Sequence, residues 1–460
     1  MPDTSSPLAD AVEPSAPIVS LLNAVALQTA ASEGMRVMMQ RESEFPTALA
    51  AKLTGVALDP AGRGYADEIL DTYWSNEQRR QGILGTSRRD REVIIGSGFH
   101  AAVYAATRVR NGYPKPLVLE RGDRVGGVFA MTSRPTFYLN SRNRAGGIGL
   151  AGDRGAALNY LPGAPIQPAN VSMAEYQTNT DLAFVIRLTL AQYADVVTNA
   201  TVRAVTGDTS SVDIGIAGGV RLAAGRVIDA RGLGDPVGQD LANGTTILTF
   251  VQFMQRMATM SPLRGVRRAA VIGGGDSAKC AVESLLGIGP QPLMAAAALD
   301  SVERIDWYGF GLPSGCKQWR KEIRGRYQAI GRYLRPDRYG TRRLTVAARQ
   351  AQPVALPDAG LIDGRTYDLV VVCTGNRETA LDGLDFNDFV AYDIPTTGDI
   401  VARRHINLPA FRVGPHARLP FTPQERADGV ARVAENAVAM FRTATKTASL
   451  AATLPAVTQD

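Results

Sequence analysis

The chain has 460 residues, 45% of them hydrophobic and 20% charged, the balance of a globular protein with room for two or three domains. Its formal net charge of +6 comes without a dense basic run interleaved with aromatics, which argues against a nucleic-acid partner. Three widely spaced cysteines (Cys280, Cys316, Cys373), no C-x-x-C pair and only three histidines exclude a redox disulfide motif and a Cys- or His-rich metal centre. No apolar run of about 18 residues and no signal-peptide pattern occur, so a cytoplasmic protein without a membrane partner is expected.

Residues 1 to about 17 are rich in Ser, Pro, Asp and Ala and are expected to be disordered. From Ile18 to about Gln81 the apolar spacing is helical in pieces, broken near Pro46 and at Pro60-Ala61-Gly62, with an amphipathic segment over Tyr65–Trp74. Capping a neighbouring domain, contacting a partner and forming a homo-oligomer are all open roles for this stretch.

Arg91–Ile95 then predicts a short buried strand, followed by Gly96-Ser97-Gly98-Phe99-His100-Ala101, an alanine-rich helix, and a second strand ending at Glu120. This is the Gly-x-Gly-x-x-Ala dinucleotide-binding pattern in its strand–turn–helix setting, with an acid about two dozen residues on. Gly96 permits the tight turn, Gly98 lets a pyrophosphate approach the backbone, and Ala101 lets helix and strand pack closely. The helix start offers unpaired N–H groups and a positive dipole end to phosphate, and Glu120 stands where a carboxylate meets a ribose diol. Arg121 leads on to Gly126-Gly127, a pair suited to a loop running close beside a bulky ligand and equally to an ordinary flexible turn.

Arg134–Gly163 reads as long loops, in which Asn140, Ser141 and Arg142 are candidates for positioning substrate or nicotinamide. Tyr176–Gln192 predicts a helix, Ala200–Val205 and Val220–Asp229 predict strands, and Leu241–Met260 reads as a connection. A second unit follows: strand Arg268–Ile272, then Gly273-Gly274-Gly275-Asp276-Ser277-Ala278, a helix to about Leu286 and a strand Val302–Tyr308. No acid stands at the end of that strand. Lys317, Arg320, Lys321, Arg324 and Arg326 come instead, which suits a 2′-phosphate and hence NADPH, or else a solvated basic helix face. Asp368–Cys373 is a further apolar strand running into Thr374-Gly375, Thr422-Pro423-Gln424-Glu425 is a capping box, and residues after about Thr443 read as a disordered tail.

Two such fingerprints, with a later strand completing the span of the second, resemble the two-dinucleotide-binding-domain flavoproteins, among them thioredoxin reductase-like enzymes and class B flavin and N-hydroxylating monooxygenases. The resemblance covers roughly Arg91 to Arg442. It implies an α/β fold of two Rossmann-like dinucleotide-binding domains, the NADPH domain inserted in the FAD domain, behind a helical N-terminal extension. The boundaries it implies are 1–89 for the extension, 90–245 and 377–445 for the two parts of the FAD domain, 246–376 for the NADPH domain and 446–460 for the tail.

By the same resemblance Gly96, Gly98, Ala101 and Glu120 hold FAD, with Ser97, His100 and Arg121 beside them, and Gly126-Gly127 is the glycine pair near the flavin. Val202 lies on an adenine-contacting strand. Ala230-Arg231-Gly232 stands at the Ala-Thr-Gly turn, with Arg in place of Thr. Gly273, Gly275, Asp276, Ser277 and Ala278 match the NADPH turn, Gly-Gly-Gly-Asp-Ser-Ala being especially like the reductases. Asp368 to Asn376 resembles the Asp-x-x-x-Leu-Ala-Thr-Gly-Tyr motif of N-hydroxylating monooxygenases, departing from it at Val372, Cys373 and Asn376. Gly414-Pro415 occupies the place of a Gly-Asp turn, and His416 after it is the acid–base candidate. The implied activity is FAD-dependent, NADPH-using oxygenation of a small molecule through a flavin hydroperoxide. A flavin reductase or dehydrogenase, and a flavoprotein binding partner with a decayed NADPH site, are the alternatives.

Overall fold

The computed structural model describes residues 60–86, 88–130, 136–142, 161–166, 176–236, 242–258, 265–288, 302–309, 326–333, 364–377, 379–392, 402–415 and 437–457, with single positions between 46 and 56, residue 171 and the pairs 361–362 and 432–433. The Val- and Ile-rich strand β1 (Glu92–Ile95) is buried at every position. It pairs in parallel with β2 (Leu117–Leu119), which pairs in turn with β3 (Asp195–Val197). On its other side lie β4 (Arg226–Asp229) and then β11 (Ala410–Arg412), both parallel. Two antiparallel strands, β10 (Ala402–His405) and β9 (Phe389–Tyr392), extend that edge. The seven-stranded order is therefore β9-β10-β11-β4-β1-β2-β3.

A second parallel sheet is built from β5 (Ile247–Thr249), β6 (Arg268–Ile272), β7 (Arg304–Tyr308) and β8 (Leu369–Val372), in the order β5-β8-β6-β7. Both sheets are central and covered, which is why their strands read as continuous apolar runs rather than alternating ones. The chain leaves the first sheet through Asp235–Pro236 and returns through Asn376–Arg377, and these two segments pair antiparallel. The second α/β unit is thus an insertion in the first, held at its neck by a strand pair.

The helix α3 (Phe99–Arg110) is buried along Phe99–Arg108. Its alanines, Ala101, Ala102, Ala105 and Ala106, let it approach the sheet, α4 (Asn179–Tyr193) and α7 (Ala437–Thr453) at once. The last of these corrects the tail expected after Thr443: Ala444, Ala448, Leu450, Ala451 and Leu454 are buried in the same core. The reason is electrostatic as well as apolar. Arg108, 1% exposed, donates to the carbonyls of Ala451 (3.0 Å), Leu454 (2.7 Å) and Pro455 (3.1 Å) and pairs with Glu92 at 2.8 Å. Arg226 adds bonds to the Pro455 carbonyl (3.0 Å) and to Glu92 (2.5 Å). Two buried cations face one carboxylate and the negative end of a helix, so the excess positive charge is met by the helix's unpaired carbonyls.

Several elements differ from their sequence reading for local reasons. Pro60 begins a helix, α1 (Pro60–Trp74), rather than breaking one, because proline at a first helical position lacks only an N–H that would be unpaired anyway. The helix expected from Tyr176 starts at Asn179: Tyr176–Thr178 is a strand, and Thr178 with Asp181 forms a reciprocal capping box. The strand expected over Val220–Asp229 is two strands. Gly225 turns the corner where a Cβ would lie 2.2 Å from the Arg89 carbonyl oxygen, and Val220–Ala224 belongs instead to an antiparallel meander with Val202–Gly207 and Val212–Ile216. The connection read over Leu241–Met260 contains β5 and α5 (Phe250–Ala258), a three-residue strand running straight into a helix. The loops read over Arg134–Gly163 contain the strand Tyr138–Arg142, paired with Tyr176–Thr178.

Candidate dinucleotide sites

At the carboxyl end of β1 the chain turns through Gly96 at φ +97, a left-handed conformation, and a Cβ there would lie 2.7 Å from the Ala230 carbonyl oxygen. Gly96 and Ala230 are therefore brought together by backbone contact, and Gly232 follows in the same turn. Ser97 and Glu120 form the floor: the Ser97 N–H donates to Glu120 Oε2 at 3.1 Å, and the Ser97 hydroxyl donates to the same oxygen. Gly122 N–H donates to Glu120 Oε1 at 2.8 Å. The carboxylate is thus oriented by both turns that flank it, and Oε1 keeps a lone pair for one further donor.

The glycine pair closes over the first turn. Gly127 has φ +60, and its missing Cβ would stand 2.8 Å from Gly98 Cα; Gly126 N–H donates to the Ser97 carbonyl and hydroxyl oxygens, each at 3.2 Å. A different force holds this second turn from outside. Arg187 of α4 is fully buried and donates to the Val125 carbonyl at 3.2 Å, to Asp71 Oδ1 at 2.7 Å and to the Asp67 carbonyl at 2.9 Å, and its Nε lies 2.7 Å from Asp67 Oδ1. Arg124 reaches Asp67 at 3.2 Å and Asp71 at 3.7 Å. Burial raises the Asp67 carboxyl above the usual carboxylate range, outweighing the opposing pull of Arg187 and Arg124. Asn179 completes the fixture by donating to the Phe129 carbonyl at 3.0 Å and accepting from Phe137 N–H at 2.8 Å.

The second site repeats the turn, and among the described residues nothing closes over it. Gly273 has φ +130, and a Cβ would lie 2.1 Å from the Cys373 carbonyl oxygen, so Thr374-Gly375 is placed beside it. Trp307 Nε1 donates to the Gly273 carbonyl at 2.7 Å. Gly275 caps α6 (Asp276–Leu285) in extended conformation with no atom of the described residues within 4 Å of a Cβ position. Asp276 pairs with Lys279 one turn on at 3.1 Å, Ser277 is exposed and Ala278 is buried against the sheet. The nearest acid on β7, Asp306, is buried and taken up by Arg304 (2.9 Å) and the Tyr367 hydroxyl (2.7 Å). It does not stand in for a ribose-binding acid.

The remaining expected residues divide. His100 is not turned to the first glycine turn: its Nε2 lies 2.7 Å from the Thr443 hydroxyl of α7, and Gly414 packs so closely that a Cβ would be 2.9 Å from Nδ1. Burial depresses its pKa to about 3, so it is a neutral packing residue that brings Gly414 and buried Pro415 to the start of α3. Arg231, the substitute in the Ala-Thr-Gly turn, pairs with Asp229 at 2.8 Å and donates to the Thr379 carbonyl at 2.6 Å, tying β4 to the returning chain. Arg121 is exposed beside Glu120. Val202 begins the meander, partly buried against the core, two residues after Ala200, whose N–H donates to the Glu120 carbonyl at 2.8 Å. Asn140 and Arg142 sit on a strand rather than a loop. Lys317, Arg320, His416 and the capping box at Thr422 lie outside the described residues.

What the sequence reading missed is the Arg124–Arg187–Asp67–Asp71 cluster. Its signal was present: Arg63, Asp67 and Asp71 recur at intervals of four, one face of a helix, and Arg63 pairs with Asp181 of α4 at 3.1 Å. Among the described residues no group of side chains could hold a metal ion, and no helix is long and apolar enough to cross a membrane.

Two nucleotide-type turns, each at the carboxyl edge of a parallel sheet and one unit inserted in the other, define a double dinucleotide-binding α/β fold. No protein-family model matches the sequence, and no curated protein matches it. Solved structures similar to it include a flavin-containing monooxygenase from Stenotrophomonas maltophilia, at 17% identity over 78% of this chain and 97% of that one, with a TM-score of 0.49. L-lysine 6-monooxygenase from Pseudomonas syringae aligns at 14% identity over 79% and 99%, with a TM-score of 0.47. Lactococcus lactis thioredoxin reductase aligns at 14% over 79% and 96%, with a TM-score of 0.44.

Proposed function

We propose that this chain is an FAD-dependent oxidoreductase that takes electrons from NADPH and oxygenates a small molecule. One observation carries the reading. Gly98 and Gly275 adopt ordinary extended conformations, φ −82 and φ −79, which any residue accepts. Among the described residues a Cβ on Gly98 would meet no atom closer than 3.9 Å, and one on Gly275 would meet none within 4 Å. Neither glycine is demanded by a turn or by packing, in contrast to Gly96, Gly127 and Gly273. Both stand at helix N-caps, where Ser, Thr, Asp or Asn would do at least as well for stability. What does demand glycine there is a group approaching from outside, and a pyrophosphate on a helix N-terminus is such a group.

The residues present fit FAD at the first turn: Gly98 leaves room for the diphosphate, α3 points its N–H groups outward, and Glu120 presents an oriented carboxylate for a ribose diol. Gly126-Gly127 would border the remainder of the cofactor. At the second turn Gly275 and α6 would receive the NADPH diphosphate, while the absence of a free acid at the end of β7 suits a 2′-phosphate. Bound at the first turn, FAD would supply the acceptance of hydride from nicotinamide and the transfer of electrons to oxygen. The chain's own contribution is orientation and exclusion of water, the latter favouring oxygenation over release of peroxide. No C-x-x-C pair is present to relay electrons to a disulfide, which favours oxygen as acceptor over reductase chemistry.

The test is an absorption spectrum of the purified protein, anaerobic addition of NADPH and then admission of air with amines, ketones and thioethers as substrates. Flavin absorbance, bleaching by NADPH faster than by NADH, and oxygenated product are expected. A colourless protein that takes up no FAD would overturn the reading. Stoichiometric peroxide with every substrate, together with rapid turnover of an external acceptor, would move the chain to the reductases.

A further inference from the structure

We propose that the N-terminal helix α1 is a positioning element of the flavin site: through Asp67 and Asp71 it holds Arg187 and Arg124 on either side of Val125 and so fixes the Gly126–Gly127 turn over Gly98. The proposal rests on the flavin reading above. It goes beyond it by assigning a role to residues about 60 positions upstream of the turn they control.

The geometry runs in one direction. Gly126 and Gly127 have positive φ, and two bonds from Gly126 N–H to Ser97 are both long at 3.2 Å. A turn of this kind, made of two glycines, has little intrinsic preference for one conformation. What lies outside it is much stronger. Arg187 is fully buried and spans three anchors, Asp67 and Asp71 on α1 and the Val125 carbonyl at the foot of the turn. Its Cγ is 3.7 Å from where a Gly126 side chain would begin, so the arginine also backs the turn sterically. Arg124, the residue before Val125, is drawn to the same two carboxylates. Two cations and two carboxylates balance, whereas loss of either acid would leave a buried guanidinium short of a partner.

α1 is itself well seated. Ala66, Leu70 and Trp74 are buried in the core shared with α3 and α4, Arg63 binds Asp181 and the Val171 carbonyl (2.6 Å), and Arg187 lies over the Trp74 ring at 5.2 Å. The helix is thus a rigid post, and the charge cluster is the link between that post and the glycine turn. A docking role alone would need only the apolar face and Arg63. The pair Asp67 and Asp71 is aimed at the two arginines that flank the turn.

The experiment compares wild type, Asp67→Asn with Asp71→Asn, Arg124→Gln and a control, Arg79→Met. Arg79 anchors the neighbouring helix α2 (Glu77–Leu84) to the Val196 carbonyl at 2.6 Å and does not touch the turn. FAD dissociation constants of the apoproteins and hydrogen exchange at residues 126–130 are read side by side with apoprotein melting temperatures. The double variant should bind FAD at least tenfold more weakly and exchange at least tenfold faster in the turn. Arg124→Gln should move both in the same direction by about threefold, and it alters a partly exposed side chain, so it serves even where the double variant does not fold. Arg79→Met should leave both at wild-type values whatever its effect on melting. FAD binding and exchange unchanged in Arg124→Gln and the double variant would overturn the proposal while leaving the flavin reading intact. So would an equal loss in Arg79→Met. A wild-type protein that takes up no FAD would overturn both together.

Discussion

The two glycine turns start from nearly the same sequence pattern and, among the described residues, end in different states of closure. The first is covered by a second glycine turn, floored by an oriented carboxylate and braced by helices from both ends of the sequence. The second has the same left-handed glycine against the neighbouring strand, yet among the described residues none lies within 4 Å of a Gly275 Cβ position, and the acid of β7 is taken up in a buried cluster. A fingerprint motif therefore specifies the turn and nothing more. Whether that turn becomes a preformed site depends on residues far away in sequence. On the proposed function, the first arrangement would suit a cofactor that stays and the second a coenzyme that comes and goes.

The bracing is the most consequential part of this contrast to remove. Arg108→Met would leave Glu92 with Arg226 and the Tyr104 hydroxyl and strip the Ala451 and Leu454 carbonyls of this donor, while the Pro455 carbonyl keeps Arg226; it should destabilise the first unit by about 3–5 kcal/mol. Urea unfolding should then show the first unit melting ahead of the second, and a single unshifted transition would contradict the division of labour. Next, Gly127→Val puts a β-branched residue at φ +60 with its Cβ 2.8 Å from Gly98 Cα. A cost of about 3–4 kcal/mol from strain and overlap is expected, with loss of bound flavin, measured by unfolding midpoint and visible absorbance.

Acid should act on the first unit through His100. Its folded pKa, about 3, is below the unfolded value of 6.5. Its contribution is therefore complete above pH 6.5 and is lost as pH falls from there toward 3, about 3 kcal/mol by pH 4. His100→Gln should flatten that part of the stability profile, and an unchanged profile would show the histidine to be solvated. The smallest effects on stability belong to Gly98→Ala and Gly275→Ala, each within about 1 kcal/mol, since neither alanine meets an atom of the described residues in the way. Their ligand effects should separate cleanly: Gly98→Ala loses FAD and keeps its melting temperature as apoprotein, whereas Gly275→Ala keeps FAD and is reduced slowly by NADPH.

Strands and turns whose determinants are local could be read directly from the sequence. β1 with Gly96, and β6 with Gly273, carry a β-branched or apolar run followed at once by the glycine that the turn requires, with Gly98 and Gly275 two residues on. β5 was hidden because two apolar residues and a threonine running straight into α5 carry no period of their own. The division of Val220–Asp229 into two strands depends on Gly225 meeting Arg89 and Val457, partners far away in sequence. α7 was misread for a related reason: a stretch of Ala, Thr and Ser carries little hydrophobic signal, and its burial comes from Arg108, Arg226 and His100 elsewhere. The same holds at the site. Glu120 could be placed by its distance from the turn, while Arg187 and Asp67 become neighbours of the glycine pair only through the packing of α1 on α4.

The bonds from Arg108 to the carbonyls of α7 join residues 343 to 347 positions apart, and that span has a consequence in time. During synthesis, which proceeds from the N-terminal end, the strands of the inserted unit are all available before β11 and α7 emerge. The inserted unit can fold first, and its paired neck at Asp235–Pro236 and Asn376–Arg377 then draws the two halves of the first unit together. The chain to be closed is shortened to a clip, and the entropy of joining distant segments falls accordingly. Cofactor capture at the first turn is thus expected late, after α7 has docked on α3. Variants that slow folding of the inserted unit should accumulate as flavin-free protein even though the flavin site itself is intact.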